Sequence, residues 1–201
     1  MANETEGRSI VNVKRLTMWK LASDDESATV YEEAPRTFPH QLNAVSYTPK
    51  VNTAEQYGDG VKVENYVAKD GGTIDVTIRG FAQGDNEFLF GETTNKNNVA
   101  ISNSGDIVPY NCTAYMTERP DGTVNLYKFP KVKYMPKGED NKQREGTNIS
   151  YGTASLSGTY SPLLSNGDDA YKRYGVDPKE DAAFIESWFT DADFIGNEDS
   201  V

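Results

Sequence analysis

Gly72-Thr73-Ile74-Asp75-Val76-Thr77-Ile78-Arg79 decides the fold class. Ile74, Val76 and Ile78 are apolar, and the residues between them are polar. A period of two sends successive side chains to opposite faces of a sheet, so one face meets a core and the other meets water or a polar partner. Working outward, Val61–Ala68 reads as a preceding strand, joined through Asp70-Gly71-Gly72. Glycines there accept the positive φ of a tight hairpin turn. Leu42–Val51 reads as the strand before that, followed by a polar loop, Thr53–Gly60, ending in Tyr57-Gly58-Asp59-Gly60. Antiparallel sheet is the expected material.

Elsewhere Ile10–Lys20 reads as a strand whose apolar parity switches, Val11 and Val13 being out of step with Leu16 and Met18. A bulge, or cover on both faces, produces such a switch. Ala22–Ala28 is an acidic turn region, and Ala34–His40, with Pro35 and Pro39, an extended connector. Gly84–Gly91 reads as a short helix with Asp85 as N-cap and Gly91 as C-terminal stop. Thr93–Gly105 is a polar loop rich in Asn. Ile107–Glu118 and Thr123–Met135 read as long strands around an Arg119-Pro120-Asp121-Gly122 turn. Pro136–Asn148 is hydrophilic and reads as an exposed loop or arm, and Ile149–Tyr160 as a last long strand rich in Thr, Ser and Gly. Asp177-Pro178-Lys179-Glu180 carries a helix-start signature, and Phe184, Ile185, Trp188 and Phe189 form one helical stripe. Residues 1–9 and the tail Asn197–Val201 are expected to be loose.

The 201 residues suit a single domain. A chain of this length buries about 70% of the surface its unfolded form exposes. The formal charge of −11 argues against a general field that binds nucleic acid, because phosphate contacts need clustered Lys and Arg. The single cysteine, Cys112, excludes an internal disulfide and reads as a buried thiol. The first residues lack the basic and apolar blocks of a signal peptide, and no apolar run spans a membrane, so a reducing cytoplasm is the expected place of synthesis.

Catalytic equipment is sparse. His40 is the only histidine, and no Gly-x-Ser-x-Gly elbow accompanies it. A Cys112–His40 pair has nothing around it to support nucleophilic chemistry. Zinc needs more Cys and His ligands than these two. The carboxylates cluster in turns, where solvation is the default, and none has the spacing of a helix–loop–helix calcium site. Gly58-Asp59-Gly60 lacks the Lys-Ser/Thr ending of a phosphate cradle. No catalytic residue, metal or cofactor is therefore expected. Tyr47, Tyr57, Tyr66, Tyr110, Tyr115, Tyr127 and Tyr134 suit either a sugar-binding platform or, more ordinarily, core and subunit interface.

The order of elements, with Tyr57-Gly58-Asp59-Gly60 leading into Val61–Tyr66 and with Phe129-Pro130-Lys131-Val132-Lys133-Tyr134, resembles the major tail proteins, or tail-tube proteins, of long-tailed phages with non-contractile, siphovirus-type tails, particularly those of Gram-positive hosts. The resemblance covers Ile10 to Tyr160. It implies a mainly β fold: an antiparallel β-sandwich or half-barrel with a flanking α-helix, its sheets completed into a continuous barrel when six copies form a ring. Rings would stack into a tube that surrounds a tape-measure protein, meets tail-tip or baseplate and tail-terminator proteins, and passes double-stranded DNA without binding it specifically. No membrane binding by this chain is implied. That family often carries an additional immunoglobulin-like C-terminal domain, which is not recognisable here, so surface decoration is not expected.

On this reading Thr53, Ala54, Gln56, Tyr57, Gly58 and Gly60, with Lys137, Glu139, Asp140, Lys142, Arg144 and Glu145, are candidates for contact between subunits or rings. Glu55, Asp59, Glu64 and Asp75 are candidates for an acidic lumen or rim that repels DNA phosphate within a Debye length of about 8 Å. The inner tube of a contractile injection or secretion system is the runner-up. A monomeric carbohydrate-binding β-sandwich, which requires an exposed aromatic strip, stands apart from both, and a small acid-pair glycosidase comes third.

Overall fold

The computed structural model describes residues 9–59, 61–135, 139–140 and 152–196. The strands are β1 (Asn12–Asp24), β2 (Thr29–Tyr31), β3 (Arg36–Phe38), β4 (Leu42–Gly58), β5 (Val61–Ile78), β6 (Thr93–Thr94), β7 (Ala100–Ile101), β8 (Tyr110–Glu118), β9 (Val124–Met135), β10 (Glu139–Asp140), β11 (Thr153–Tyr160) and β12 (Tyr171–Val176). The helices are α1 (Asp85–Phe90) and α2 (Ala182–Thr190). The chain is mainly β, antiparallel throughout, with a flanking helix. The main sheet runs β2-β1-β8-β9-β11-β5-β4, with β3 on β1, β12 on β9 and β10 on β11, and it does not close on itself. β6 and β7 form a separate small hairpin within the Asn-rich loop.

The sheet curls around one apolar core. Ile74, Val76 and Ile78 of β5 meet Leu16 and Met18 of β1, Tyr115 of β8, Phe129, Val132 and Tyr134 of β9, and Leu156 and Tyr160 of β11. The alternation in Gly72–Arg79 thus faces inward as its sequence requires. The parity switch in β1 is a bulge: pairing with β8 shifts between Lys14 and Thr17, and Arg15 adopts a φ of 54°.

The hairpin turn expected at Asp70-Gly71-Gly72 is not a turn. β5 runs straight through it, and the chain reverses instead at the tip, where Asp59 has a φ of 52°. Pairing steps from Pro49–Gly72 to Val51–Lys69, so β5 carries one extra residue there. Gly71, at a φ of 62°, absorbs it as a bulge. A Cβ at Gly71 would lie 2.0 Å from the carbonyl oxygen of Tyr160. Positive φ suits a bulge as well as a turn, which is why the local sequence misleads. Thr53–Gly58 of the expected polar loop is correspondingly the outer part of β4. Three expected strands become two long ones.

Two helix starts also differ from expectation. Asp85 does not cap α1 from outside; Gly84 holds that position, and the buried Asp85 carboxylate accepts hydrogen bonds from the Arg36 guanidinium (2.8 Å to Nε) and the Ala82 backbone (2.6 Å). Gly91 does stop the helix, with a φ of 73°. α2 begins at Ala182 rather than beside Pro178, and the 177–181 segment is a turn closed by Asp181 N–H to the Asp177 carbonyl. β12 lies within 161–201, a section whose sequence reads as a C-terminal helix and tail, and pairs with β9.

The α2 stripe lies as expected on a sheet face. Ile185, Trp188 and Phe189 pack with Trp19, Cys112, Ala114, Val124 and Leu126 in a second cluster. At its centre is Lys128 of β9, fully buried. Its ammonium donates to the carbonyls of Asp191 (2.8 Å), Ala192 (3.2 Å) and Phe194 (2.8 Å), and sits 4.8 Å from the Trp188 ring centre. These carbonyls follow the end of α2, where the helix dipole favours a cation. Burial pushes the Lys128 ammonium below its ordinary pKa. A second buried charge, Asp24, accepts from Lys131 (2.5 Å), the Leu164 backbone and Thr29, tying β1 to β9 and to the loop after β11. Burial pushes the Asp24 carboxyl up, but these donors more than offset it and its pKa is lowered.

Three outcomes follow from these contacts. Gly71→Ala should cost about 2 kcal/mol or more in urea unfolding, through strained φ and the clash with Tyr160; a cost within about 0.5 kcal/mol would contradict the bulge. Lys128→Met should cost about 3 kcal/mol by leaving carbonyls unpaired, with loss of the near-ultraviolet signal of Trp188. Asp24→Asn should destabilise at pH 7 by about 2 kcal/mol. Because the folded-state Asp24 pKa is depressed, that difference is present above the unfolded pKa of about 3.9 and should vanish as pH falls through the folded value.

Candidate functional site

β11 pairs with β5 only from Gly72 to Ile78. Below Gly72 the β4–β5 ribbon leaves the sheet and has no further strand partner among the described residues. Its outer strand, residues 50–58, spans about 30 Å at the usual rise per residue. The described arm side chains are exposed except Ala68, which is half-buried.

Register assigns the arm's faces. Val51, Thr53 and Glu55 pair with Lys69, Val67 and Asn65, on the side continuous with the core-facing residues Val45 and Tyr47. Asn52, Ala54 and Gln56 pair with Ala68, Tyr66 and Glu64 on the other side. A second irregularity, between Gln56 and Tyr57, lies near the tip. Apolar side chains therefore stand on both faces. Val63 is 70% exposed and Tyr66 65%, with Val51, Tyr57, Val61 and Val67 also in water. Each would contribute roughly 1.5–3 kcal/mol on full burial, and an isolated two-stranded ribbon is marginal in water. Polar contacts stiffen the tip. Glu55 accepts from Tyr57 Oη at 2.8 Å and from Lys62, which holds its carboxyl below the usual range. Lys50 and Asp70 pair at 3.1 Å near the root.

The sheet's outer side has a dry half and a wet half. Over β1, β8 and the first half of β9 it is covered by α2. Pairing of β9 with β8 shifts between Asn111 and Thr113, which turns the odd residues of the second half of β9 outward. From there across β11, β5 and β4 the cross-strand rows read Lys133–Thr159–Thr73–Thr48, then Met135–Ser157–Asp75–Ser46, then Ser155–Thr77–Ala44. These rows are exposed or half-buried.

The structure thus brings Thr53, Ala54, Gln56, Tyr57 and the backbone of Gly58 together on one arm. Glu55 and Glu64 are also on the arm but on opposite faces, Asp59 is at its tip, and Asp75 stands apart on the wet face of the sheet. Gly60, Lys137, Lys142, Arg144 and Glu145 lie outside the described residues. Glu139 and Asp140 form β10, whose backbone pairs with Ala154 and Thr153.

The tyrosines divide. Tyr115, Tyr127 and Tyr134 are buried, Tyr47 is half-buried and packs on Tyr127 and Phe129, and Tyr57 and Tyr66 stand on the arm. Tyr115 stacks on Tyr127 at 4.9 Å as core. Cys112 is buried, and burial pushes its thiol up to about 12. His40 is exposed with a φ of 56°, beside a groove of about 770 Å³ between β1, the β3–β4 connector and α2. No helix among the described residues is long and apolar enough to cross a membrane.

No protein-family model matches the chain. No curated protein matches it. Among solved structures it is similar to a chain in the six-fold symmetrised cryo-EM structure of the anti-feeding prophage (AFP) baseplate, at 7% identity and a TM-score of 0.41, over 82% of this chain and 95% of that one.

Extending the arm should not be what stabilises the monomer. Val67→Ser, at a position 55% exposed, should change unfolding free energy by less than about 0.5 kcal/mol. A larger loss by urea titration would mean that the arm folds back on the body.

Proposed function

We propose that this chain is a self-assembling structural protein of a phage tail, whose copies form hexameric rings that stack into a tube. The observation that carries this reading is the arm. Its valines and tyrosines gain burial only against another molecule. A second copy presents the complementary need, because β4 leaves its outer edge unpaired along its length in the described structure. Long open edges invite pairing, and closing them between identical subunits removes the hazard. The wet face of Ser and Thr on β4, β5 and β11 suits the inner wall of such a tube. The sequence resemblance to tail-tube proteins supplies the finer parts: a tape-measure protein enclosed before DNA passage, tail-tip or baseplate and tail-terminator proteins at the ends, and a non-contractile tail. The particle would be a virion assembled in a host bacterium. No enzymatic activity is part of this reading.

Negative-stain electron microscopy of the purified chain across a concentration series tests it, with sedimentation velocity alongside. Hollow, evenly striated tubes or six-fold rings are expected. Val51→Asp with Val67→Asp should abolish them, leaving a folded monomer with unchanged circular dichroism. Intact tubes from that double variant would overturn the arm's role.

A further inference from the structure

The groove beside His40 exists because β3 stops early. β3 pairs with β1 from Met18 to Leu16, and its next residues along that edge would be Pro39 and His40. Pro39 has no N–H to give to a ladder. His40, at a φ of 56°, turns the chain away, and Gln41 N–H closes the turn on the Phe38 carbonyl at 3.4 Å before β4 begins at Leu42. The edge of β1 from Asn12 to Arg15 therefore has no strand beside it, other than β8, among the described residues. The space of about 770 Å³ along this edge is walled by Pro35, Phe38 and Leu42 on one side and by Phe189 of α2 on the other. Arg15 lies 4.5 Å from the centre of the Phe189 ring and pairs with Glu186 at 3.0 Å. The arm is the other uncovered surface. On the face continuous with Val45 and Tyr47 it carries Val51 and Val67, with Tyr57 and Lys62 both bonded to Glu55 near the tip. Groove and arm lie at opposite ends of one strand. Leu42 borders the groove, the arm begins at residue 50, about 25 Å further along β4, and it leads away from there.

We infer that the arm of one copy seats its Val51–Val67 face in the groove between β1 and α2 of a second copy. The inference rests on the self-assembly reading and names the surface that receives the arm. The groove follows an uncovered strand edge, so its natural occupant is extended chain, and the arm is extended chain with apolar side chains in water. A copy cannot fill its own groove, because its arm leaves from the far end of β4. The arm's length, residues 50–69, supplies about twenty residues, enough for one side of a standard interface. Burying its valines in the groove gains roughly 1.5–3 kcal/mol each at full burial. Because each copy offers an arm at one end and a groove at the other, the contact is heterologous. Two joined copies still present one arm and one groove, so the contact propagates until it closes into a ring or runs on as a filament.

Mixing two variants tests this by sedimentation velocity. Val51→Asp with Val67→Asp spoils the arm and leaves the groove. Thr190→Trp, and separately Thr37→Trp, fill the groove from exposed positions on its two walls and leave the arm. Circular dichroism selects the groove variant that keeps the wild-type fold. Each variant alone should associate at least about tenfold more weakly than wild type. An equimolar mixture of arm and groove variants should give one-to-one dimers and nothing larger, because one supplies the groove and the other the arm. Groove-filled chains that assemble like wild type would overturn the groove as receiver while leaving self-assembly intact. A mixture that stays monomeric under conditions where wild type assembles would point instead to arms pairing with arms. Wild-type chains that stay monomeric at every concentration would overturn the self-assembly reading and this inference together. Cross-linking gives a second measure, since Cys112 is buried. Val67→Cys chains should form disulfides with Thr37→Cys chains and not with Ile101→Cys chains, whose exposed thiol lies on the β6–β7 hairpin outside the groove. Equal yields from the two would overturn the docking.

Discussion

The structure turns on one crowded junction, where β5 passes under Tyr160 at Gly71 and Gly72. A Cβ on Gly72 would fall 2.3 Å from the Thr48 carbonyl oxygen and 2.6 Å from the Tyr160 hydroxyl. Only glycine lets backbone and ring approach this closely. On one side of the junction the even residues of β5 point into the core. On the other side, the extra residue at the bulge exchanges parity, and odd residues continue the same face. Core ends there because β11 ends its pairing with β5 at Tyr160 and Gly72. Among the described residues, what lies beyond is ribbon with no strand beside β5 other than β4. The arm is therefore a consequence of where the sheet runs out of partners.

The two buried charges do related work on the β1–β8–β9 side of the sheet. Lys128 draws three carbonyls after α2 onto the centre of β9, and Asp24 gathers β1, Lys131 and the loop after β11. Each costs desolvation that a methyl group would avoid. Each also joins elements distant in sequence in one geometry, as apolar packing of α2 alone does not. The consequence is a division of the sheet's outer side. Under α2 it is dry and tied down, and beyond the irregularity in the β8–β9 pairing it is wet and lined with hydroxyls.

Much of this was legible in the residues. The period of two in Gly72–Arg79 identifies the core face of β5, because a side chain's direction along a strand depends on parity alone. The stripe Phe184, Ile185, Trp188 and Phe189 identifies the docked face of α2 for the same kind of reason. The parity switch in β1 announces its bulge. Asp-Gly-Gly misleads because a positive φ serves a hairpin turn and a strand bulge equally, and the choice between them belongs to Tyr160, far away in the chain. Thr53–Gly60 reads as a loop because its side chains are polar, yet ladder hydrogen bonds are made by backbone and ignore that polarity.

By itself, then, the sequence determined an antiparallel β class, a core built from alternating strands, a single amphipathic helix laid on a sheet, and a lack of recognisable catalytic motifs. These are local matters of period, turn residues and composition. Tertiary structure decided that two strands are long and continuous, that they project as an arm, that Lys128 is buried, and that hydroxyl side chains line up in rows across β4, β5 and β11. Each of these depends on which distant backbone or side chain comes to lie beside a residue, and no local pattern carries that. The burial of Lys128 needs carbonyls that the chain delivers only after α2, and the hydroxyl rows exist only once register brings Thr48, Thr73 and Thr159 side by side.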